Sequence, residues 1–357
     1  MKNRIGARLA MTAVVAGLVV PAAGYLAAGQ AAAAGQASAR GDLLELLPVR
    51  GNTYMLVAGD TNITVQIGEE GVLLVDAGPA NLTDRVLATI RSETDKPIRW
   101  IVDTHHHPDH TGGNGALARA GRAIGQNLFG TGPLFQGDSI ATIVAHENVL
   151  RRMSGAGGGD ALSAGHADAW PASTYFGEEE ELFFNGEPIQ LLWQPAAHTD
   201  DDSLVFFRRS DILSTGDVFI TTTFPVIDVA SGSTINGVVA ALNRVIDITI
   251  PSEKQEGGTL VIPGHGHLSD EADVVDYRDM VTIIRDRIQD LIKKGMTLEQ
   301  VKAAKPALDY EGRYGASTGS ATTGQFIEAV YKTLKPAPTP KANAPRVRPT
   351  TENRQRR

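Results

Sequence analysis

Between Ile101 and Asn114 the chain reads IVDTHHHPDHTGGN, which puts four of its nine histidines within six residues and an aspartate among them. His105, His107, Asp109 and His110 form the pattern H-x-H-x-D-H. Imidazole and carboxylate are donors that zinc accepts, and the chain has no cysteine to offer thiolate instead. On a loop leaving a strand, residues two apart turn their side chains to one side. His105 and His107 can therefore hold one cation while Asp109 and His110 turn toward a second. Gly112 and Gly113 let the backbone bend beneath them. The plainer alternative is a solvated, tag-like histidine run, but the interleaved Pro108-Asp109 and the mid-chain position favour metal.

Two adjacent half-sites need further donors, because a catalytic zinc takes four or five ligands and keeps one position for water. Three sit at separate strand exits: His198 in WQPAAHTDDD, Asp217 in LSTGDVF and His265 in VIPGHG. Each alone reads equally well as a polar loop residue. Three on one structural edge, joined to the histidine loop, make a binuclear centre the better reading.

Short strand-like runs dominate from Leu43 onward: YMLVA, NITVQIG and GVLLVDAG, separated by Gly, Asp and Asn turn signals. The pattern then predicts a helix over NLTDRVLATIRSET, a strand at IRWIVDT, a short helix at NGALARAG and a stronger helix over GDSIATIVAHENVLRRM, where Ile140, Ile143, Val144 and Leu150 share a face. A glycine-rich gap, SGAGGGDALSAGHADAW, follows. Strands resume at PIQLLWQP, SLVFFRR and DILSTGD, then a helix at INGVVAALNRVIDI, the strand TLVIPGHG, and two or three helices between Asp270 and Leu334. Two blocks of strands, each followed by helices, imply two sheets packed face to face with helices outside.

In the order of these motifs the chain resembles the metallo-β-lactamase superfamily: H-x-H-x-D-H, then a His, then an Asp in a Gly-Asp context, then a His in a Gly-His context. The resemblance spans roughly Leu43 to Leu268. It implies an α/β fold, a four-layer αβ/βα sandwich with the site between the sheets. By that resemblance His105, His107 and His198 hold one metal, Asp109, His110 and His265 hold the other, and Asp217 bridges them. Asp76, in LLVDAG, would support the metal loop, although a strand-ending turn aspartate explains it equally well.

The chemistry expected of such a site follows from charge. Two zinc ions, with iron or manganese as alternatives, lower the pKa of a shared water from 15.7 toward about 7, making hydroxide available to attack a carbonyl. Their open faces stabilise the oxyanion, so no Ser or Cys nucleophile is needed. Asp109 is the candidate catalytic residue that orients the water and carries its proton. An Asp at position 217, where broad-spectrum β-lactamases of the family carry Cys or Ser, points to ester, lactone or amide hydrolysis, with β-lactam opening as a principal or side activity. The other reaction class is a persulfide-dioxygenase-like enzyme with one iron. A catalytically silent metal-binding scaffold is disfavoured, since every ligand is intact.

With 42% hydrophobic and 21% charged residues among 357, the composition is that of a globular protein with a sizeable core. The formal charge of −8 argues against nucleic acid as a partner, because phosphate neutralisation needs a basic surface. The expected partner is a small-molecule substrate. Lys2, Arg4 and Arg8 followed by an apolar run from Leu9 to about Leu26 read as an export signal over residues 1–39, with small-residue sites at Ala32-Ala33-Ala34 or Ala37-Ser38-Ala39. Cleavage would leave no membrane insertion and a periplasmic or secreted enzyme. The alternative is an uncleaved N-terminal anchor. The enzymatic domain is expected over 41–334, and the Pro-rich basic stretch 335–357 reads as a disordered tail.

Of the remaining signals, His106 and His267 read as exposed residues or as supports behind the ligands, and His146 as a helix-face residue. Trp170, Tyr175, Phe176, Phe219 and Phe224 are candidates to line a pocket, with core packing the equal alternative.

Overall fold

The computed structural model describes residues 43–124, 140–155, 167–254, 257–319 and 321–335; the expected signal segment and the tail beyond Lys335 lie outside them. Strands β1 (Glu45–Arg50), β2 (Thr53–Ala58), β3 (Thr61–Gly68) and β4 (Gly71–Val75) form an antiparallel meander. Pro48 can stand in β1 because that strand is an edge, where a missing N–H leaves no ladder position empty, and a register shift follows it. Helix α1 (Thr83–Glu93) carries the chain over to β5 (Ile98–Val102), which pairs parallel with β4. The histidine loop follows, with Pro108 opening a single helical turn, α2 (Pro108–Thr111), and then α3 (Asn114–Ala120).

The helix expected over 137–153 is corrected. Thr142–His146 is strand β6, and only Glu147–Met153 is helical, as α4. Ile143, Val144 and Ala145 are all buried: β6 is paired parallel with β5 on one side and β7 (Ser173–Tyr175) on the other, Ile143 packs in the cluster under the outer helices and Val144 in the cluster between the sheets. A strand buried on both faces shows no alternation, so its apolar residues can fall by chance at helical spacing. His146 accordingly ends a strand rather than lying on a helix face. It is buried, caps α4 by accepting from Asn148 N–H, and stacks on Trp193.

The second sheet comprises β8 (Glu179–Phe184), β9 (Glu187–Gln194), β10 (Asp202–Phe207), β11 (Ile212–Ser214) and β12 (Leu260–Ile262), in the order β12-β11-β10-β9-β8. Helix α5 (Ile235–Ile248), capped by the Thr234 hydroxyl, precedes β12. After it come α6 (Glu271–Lys293), α7 (Leu298–Ala303), α8 (Glu311–Tyr314) and α9 (Thr323–Leu334).

Three apolar clusters define four layers. Leu56, Ile63, Val65, Val72 and Leu74 of the first sheet pack against Val86 and Ile90 of α1 and Leu117 of α3. The inner faces meet through Met55, Leu73, Val75 and Val102 on one side and Ile189, Leu191, Val205 and Phe207 on the other. On the far face of the second sheet, Leu192, Leu204 and Leu213 pack beneath α5, α6 and α9. This is the αβ/βα sandwich that the sequence led us to expect. Among the described residues no helix is long and apolar enough to cross a membrane.

Candidate metal centre

All seven candidate donors converge at one end of the sandwich. His105 and His107 leave β5, Asp109 and His110 ride on α2, His198 follows β9, Asp217 lies in a 3-10 turn after β11, and His265 follows β12. Donor atoms of His105, His107 and His198 lie within 4.8 Å of one another, as do those of Asp109, His110 and His265. Asp217 stands between the triads: Oδ1 is 3.2 Å from His110 Nε2 and 3.3 Å from His265 Nε2, while Oδ2 is 3.6 Å from His198 Nε2.

The outward nitrogen of each imidazole is tied, which settles where the other one points. His105 Nδ1 meets the Thr104 hydroxyl at 3.1 Å, and His110 Nδ1 meets Asp76 Oδ2 at 2.8 Å. The Val226 and Asp60 carbonyls accept from Nδ1 of His198 and His265, each at 2.7 Å. In these four rings Nε2 faces inward. His107 is reversed: its Nδ1 lies 2.9 Å from His198 Nε2, and its Nε2 lies 3.5 Å from Asp228 Oδ2.

Asp76 does more than end a strand. Its carboxylate accepts from Thr104 N–H (2.8 Å), the Thr104 hydroxyl (2.9 Å) and His110, so one buried side chain fixes both ends of the ligand loop. It does so from φ +66°, a left-handed conformation that Asp tolerates better than most residues. Asn62 clamps the other side: its N–H donates to the Gly264 carbonyl, and Nδ2 donates to Pro263 and Gly266, bracketing His265.

The charges fit a cation. Burial works against ionising Asp217, yet the imidazoles of His110 and His265 outweigh it and hold its carboxyl well below the usual range. Burial likewise opposes charge on His265, but Asp217 and Asp109 prevail and raise it to about 10. His105, buried and surrounded by other histidines, is driven well below the ordinary imidazole value and has a free lone pair to offer, whereas on His265 a cation would displace the proton that Asp217 and Asp109 hold there. His105 Nε2, His110 Nε2 and Asp217 Oδ1 are buried and make no well-aligned hydrogen bond among the described residues, the last two meeting only as an ion pair at 3.2 Å. Buried polar atoms so poorly satisfied and aimed into one space are costly unless something electropositive fills it, and two divalent cations shared by the triads match this donor set.

The remaining sequence readings fare unevenly. His106 is buried and paired with Asp201, so it is a support and not an exposed residue, whereas His267 is exposed. Tyr175, Phe219 and Phe224 are core, with Phe219 against Tyr277 and Phe224 stacked on Phe326, and Phe176 is 70% exposed. Trp170 packs against Ala145 and Val149. Sequence reasoning missed Asn62, Asp201 and Asp228. The run Asp200-Asp201-Asp202, three residues of one charge directly after a candidate ligand, was the available signal for Asp201.

Residues 56–126, which hold β3, β4, β5 and the histidine loop, match the family described as the metallo-beta-lactamase superfamily. Over that segment the chain matches the superfamily, and its fold is of the metallo-β-lactamase type. Among curated proteins it is similar to a linear primary-alkylsulfatase of Pseudomonas sp., 24% identical over an alignment 257 positions long that covers 65% of this chain and 47% of that one. Among solved structures of the fold it resembles a stereoselective inverting sec-alkylsulfatase from Pseudomonas sp. at TM-score 0.58 and 16% identity, covering 81% of this chain and 50% of that one. It also resembles a metallo-beta-lactamase from Pontibacter korlensis at TM-score 0.50 and 17% identity, covering 67% and 99%. The chain thus spans about half the length of the alkylsulfatases it matches.

Proposed function

We propose that this protein is a binuclear metallo-hydrolase that cleaves an ester, lactone or amide bond of a small-molecule substrate, acting outside the cytoplasm after loss of residues 1–39. The observation that carries the reading is the pair of triads, His105/His107/His198 and Asp109/His110/His265, with one carboxylate of Asp217 between them. When bound there, two zinc ions would supply Lewis acidity and bring the pKa of water from 15.7 toward about 7. Asp109 is the residue placed to handle the proton. Its side chain is 42% exposed, against none for His110, and although burial opposes its charge, His265 and His110 together outweigh that and hold it below the usual carboxylate range. It can accept a proton at a carboxylate oxygen and pass it to solvent or to a leaving group. Asp217, 8% exposed, has no such access and serves to hold the triads together.

A second substrate reading is favoured by the likeness to the linear primary-alkylsulfatase: the ester cleaved would be a sulfate ester. The test is metal analysis joined to a panel of lactones, aryl esters, thioesters, β-lactams and primary alkyl sulfates with the mature protein. Two zinc per chain with turnover of a carbonyl substrate is the expected result. Turnover of alkyl sulfates alone would select the second reading. One iron per chain with oxygen consumption would replace both with a dioxygenase. N-terminal sequencing of the exported protein tests cleavage, and an intact Met1 would overturn it.

A further inference from the structure

The histidine that the ligand pattern leaves over has a built environment of its own. The His106 side chain is 5% exposed, and its Nδ1 lies 2.8 Å from Oδ2 of Asp201, whose side chain is fully buried. The other oxygen of Asp201 accepts from the Thr199 hydroxyl at 2.5 Å. Asp201 is therefore held between two segments: the loop bearing His105 and His107, and the turn that begins at His198. That turn is anchored from behind. The Asp200 carbonyl accepts from Asn148 Nδ2 (3.0 Å) and Trp193 Nε1 (2.9 Å), and its carboxylate takes two hydrogen bonds from Arg152, at 3.1 and 2.8 Å. Asp202 adds a bond from Thr199 N–H at 2.7 Å. The post to which His106 is fastened is fixed to β6's following helix and to β9, elements independent of the ligand loop.

His106 lies between two ligands in sequence, so holding its ring fixes the backbone from which His105 and His107 both depart. The same pair joins that backbone to the turn carrying His198, where His107 Nδ1 and His198 Nε2 stand 2.9 Å apart. Toward the other triad, the described residues show only the Thr111 hydroxyl donating to the His106 carbonyl at 3.3 Å; the rings of that triad are themselves tied to Asp76 and to the Asp60 carbonyl.

We propose that His106 and Asp201 form a positioning strut that sets the geometry of the His105/His107/His198 triad, and hence its affinity for a cation, while leaving the Asp109/His110/His265 triad nearly untouched. This rests on the metal-centre reading above. The competing use of the same residues is as ligands, since donor atoms of His106, His107 and Asp228 also lie within 4.8 Å of one another.

The test is calorimetric titration of Zn2+, with chelator competition, into metal-free full-length protein. It compares the wild type with Asp201→Asn, His106→Asn, His106→Leu and the double variant His106→Leu/Asp201→Leu. Supports of this kind are worth about 10- to 100-fold in metal affinity. The first site should weaken by that factor in His106→Leu and in the double variant, while the second changes less than about threefold. His106→Asn, whose amide nitrogen stands where Nδ1 does, should recover most of the affinity. Melting of the metal-free proteins separates positioning from folding. The double variant replaces both buried polar partners with apolar ones and should stay folded where a single leucine variant leaves a lone buried carboxylate. Two zinc sites of unchanged affinity in the double variant, or an equal fall at both, would overturn the strut. A third zinc in the wild type, lost with His106, would make these residues ligands instead. If the wild type binds no zinc, the metal-centre reading fails and the strut fails with it.

Discussion

Gly264 is the smallest residue at the centre and one of the most constrained. A Cβ there would stand 2.1 Å from Asp217 Oδ1, with the Gly216 carbonyl close behind. Gly264→Ala should therefore push the Asp217 carboxylate aside by about 1 Å, a misplacement that can cost on the order of 100-fold in turnover. Steady-state kcat/KM together with zinc content would check this, and a fully active alanine variant would show that Asp217 does not bridge. Asp202 offers a pH test at a group that is not itself a candidate ligand. Burial, with Asp201 adding to it, raises its carboxyl from 3.8 to about 8, so the folded protein holds a proton that the unfolded chain releases. Stability from this group is complete below about pH 4 and declines as pH rises toward about 8. Asp202→Asn should flatten that decline in denaturant unfolding of the metal-free protein across the same window. Seven donors were legible as polar residues at strand exits, because a ligand must be a named side chain. The Val226 and Asp60 carbonyls that orient His198 and His265 were not, since every residue has a carbonyl and only the fold decides which one a ring meets.

Elements were legible where turn signals bound them. β2, β3, β4, β9 and β10 and the amphipathic helices α1 and α5 follow their sequence periods, whereas β6 runs without a turn into the helix that follows and mimicked part of it, and the edge strands β1, β7 and β8 gave little signal at all. The helices after β12 turn out to brace the site. Tyr277 of α6 donates its hydroxyl to the Thr223 carbonyl and packs on Phe219, two residues beyond Asp217, while Phe224 N–H donates to Tyr314 and its ring stacks on Phe326 of α9. Phe224→Ala should cost about 3–5 kcal/mol of stability and loosen the segment that ends at Val226. Asn62→Ala should cost about 1–3 kcal/mol by stranding the Pro263 and Gly266 carbonyls. Chemical denaturation measures both. For Asn62→Ala the zinc affinity of the His265 triad should fall as well, which distinguishes it from an ordinary core defect.

At the scale of the molecule, each triad takes two donors from the loop after β5 in the first sheet and one from the second, His198 or His265. Zinc bound there contributes stability only when both sheets are docked, by about 2.7 kcal/mol per site at a free concentration 100 times Kd. Chelation should accordingly lower the melting temperature, and readdition of zinc should restore it in a concentration-dependent way. With metal bound as proposed, the centre would be a rivet through the sandwich as well as a place for chemistry. Gly177, at φ +105° with open space around it, marks the crossing from β7 to β8. A chain cut at that turn yields two pieces, neither of which owns a whole triad, so their reunion would be written in the metal: fragments that drift apart in chelator and rejoin when zinc returns.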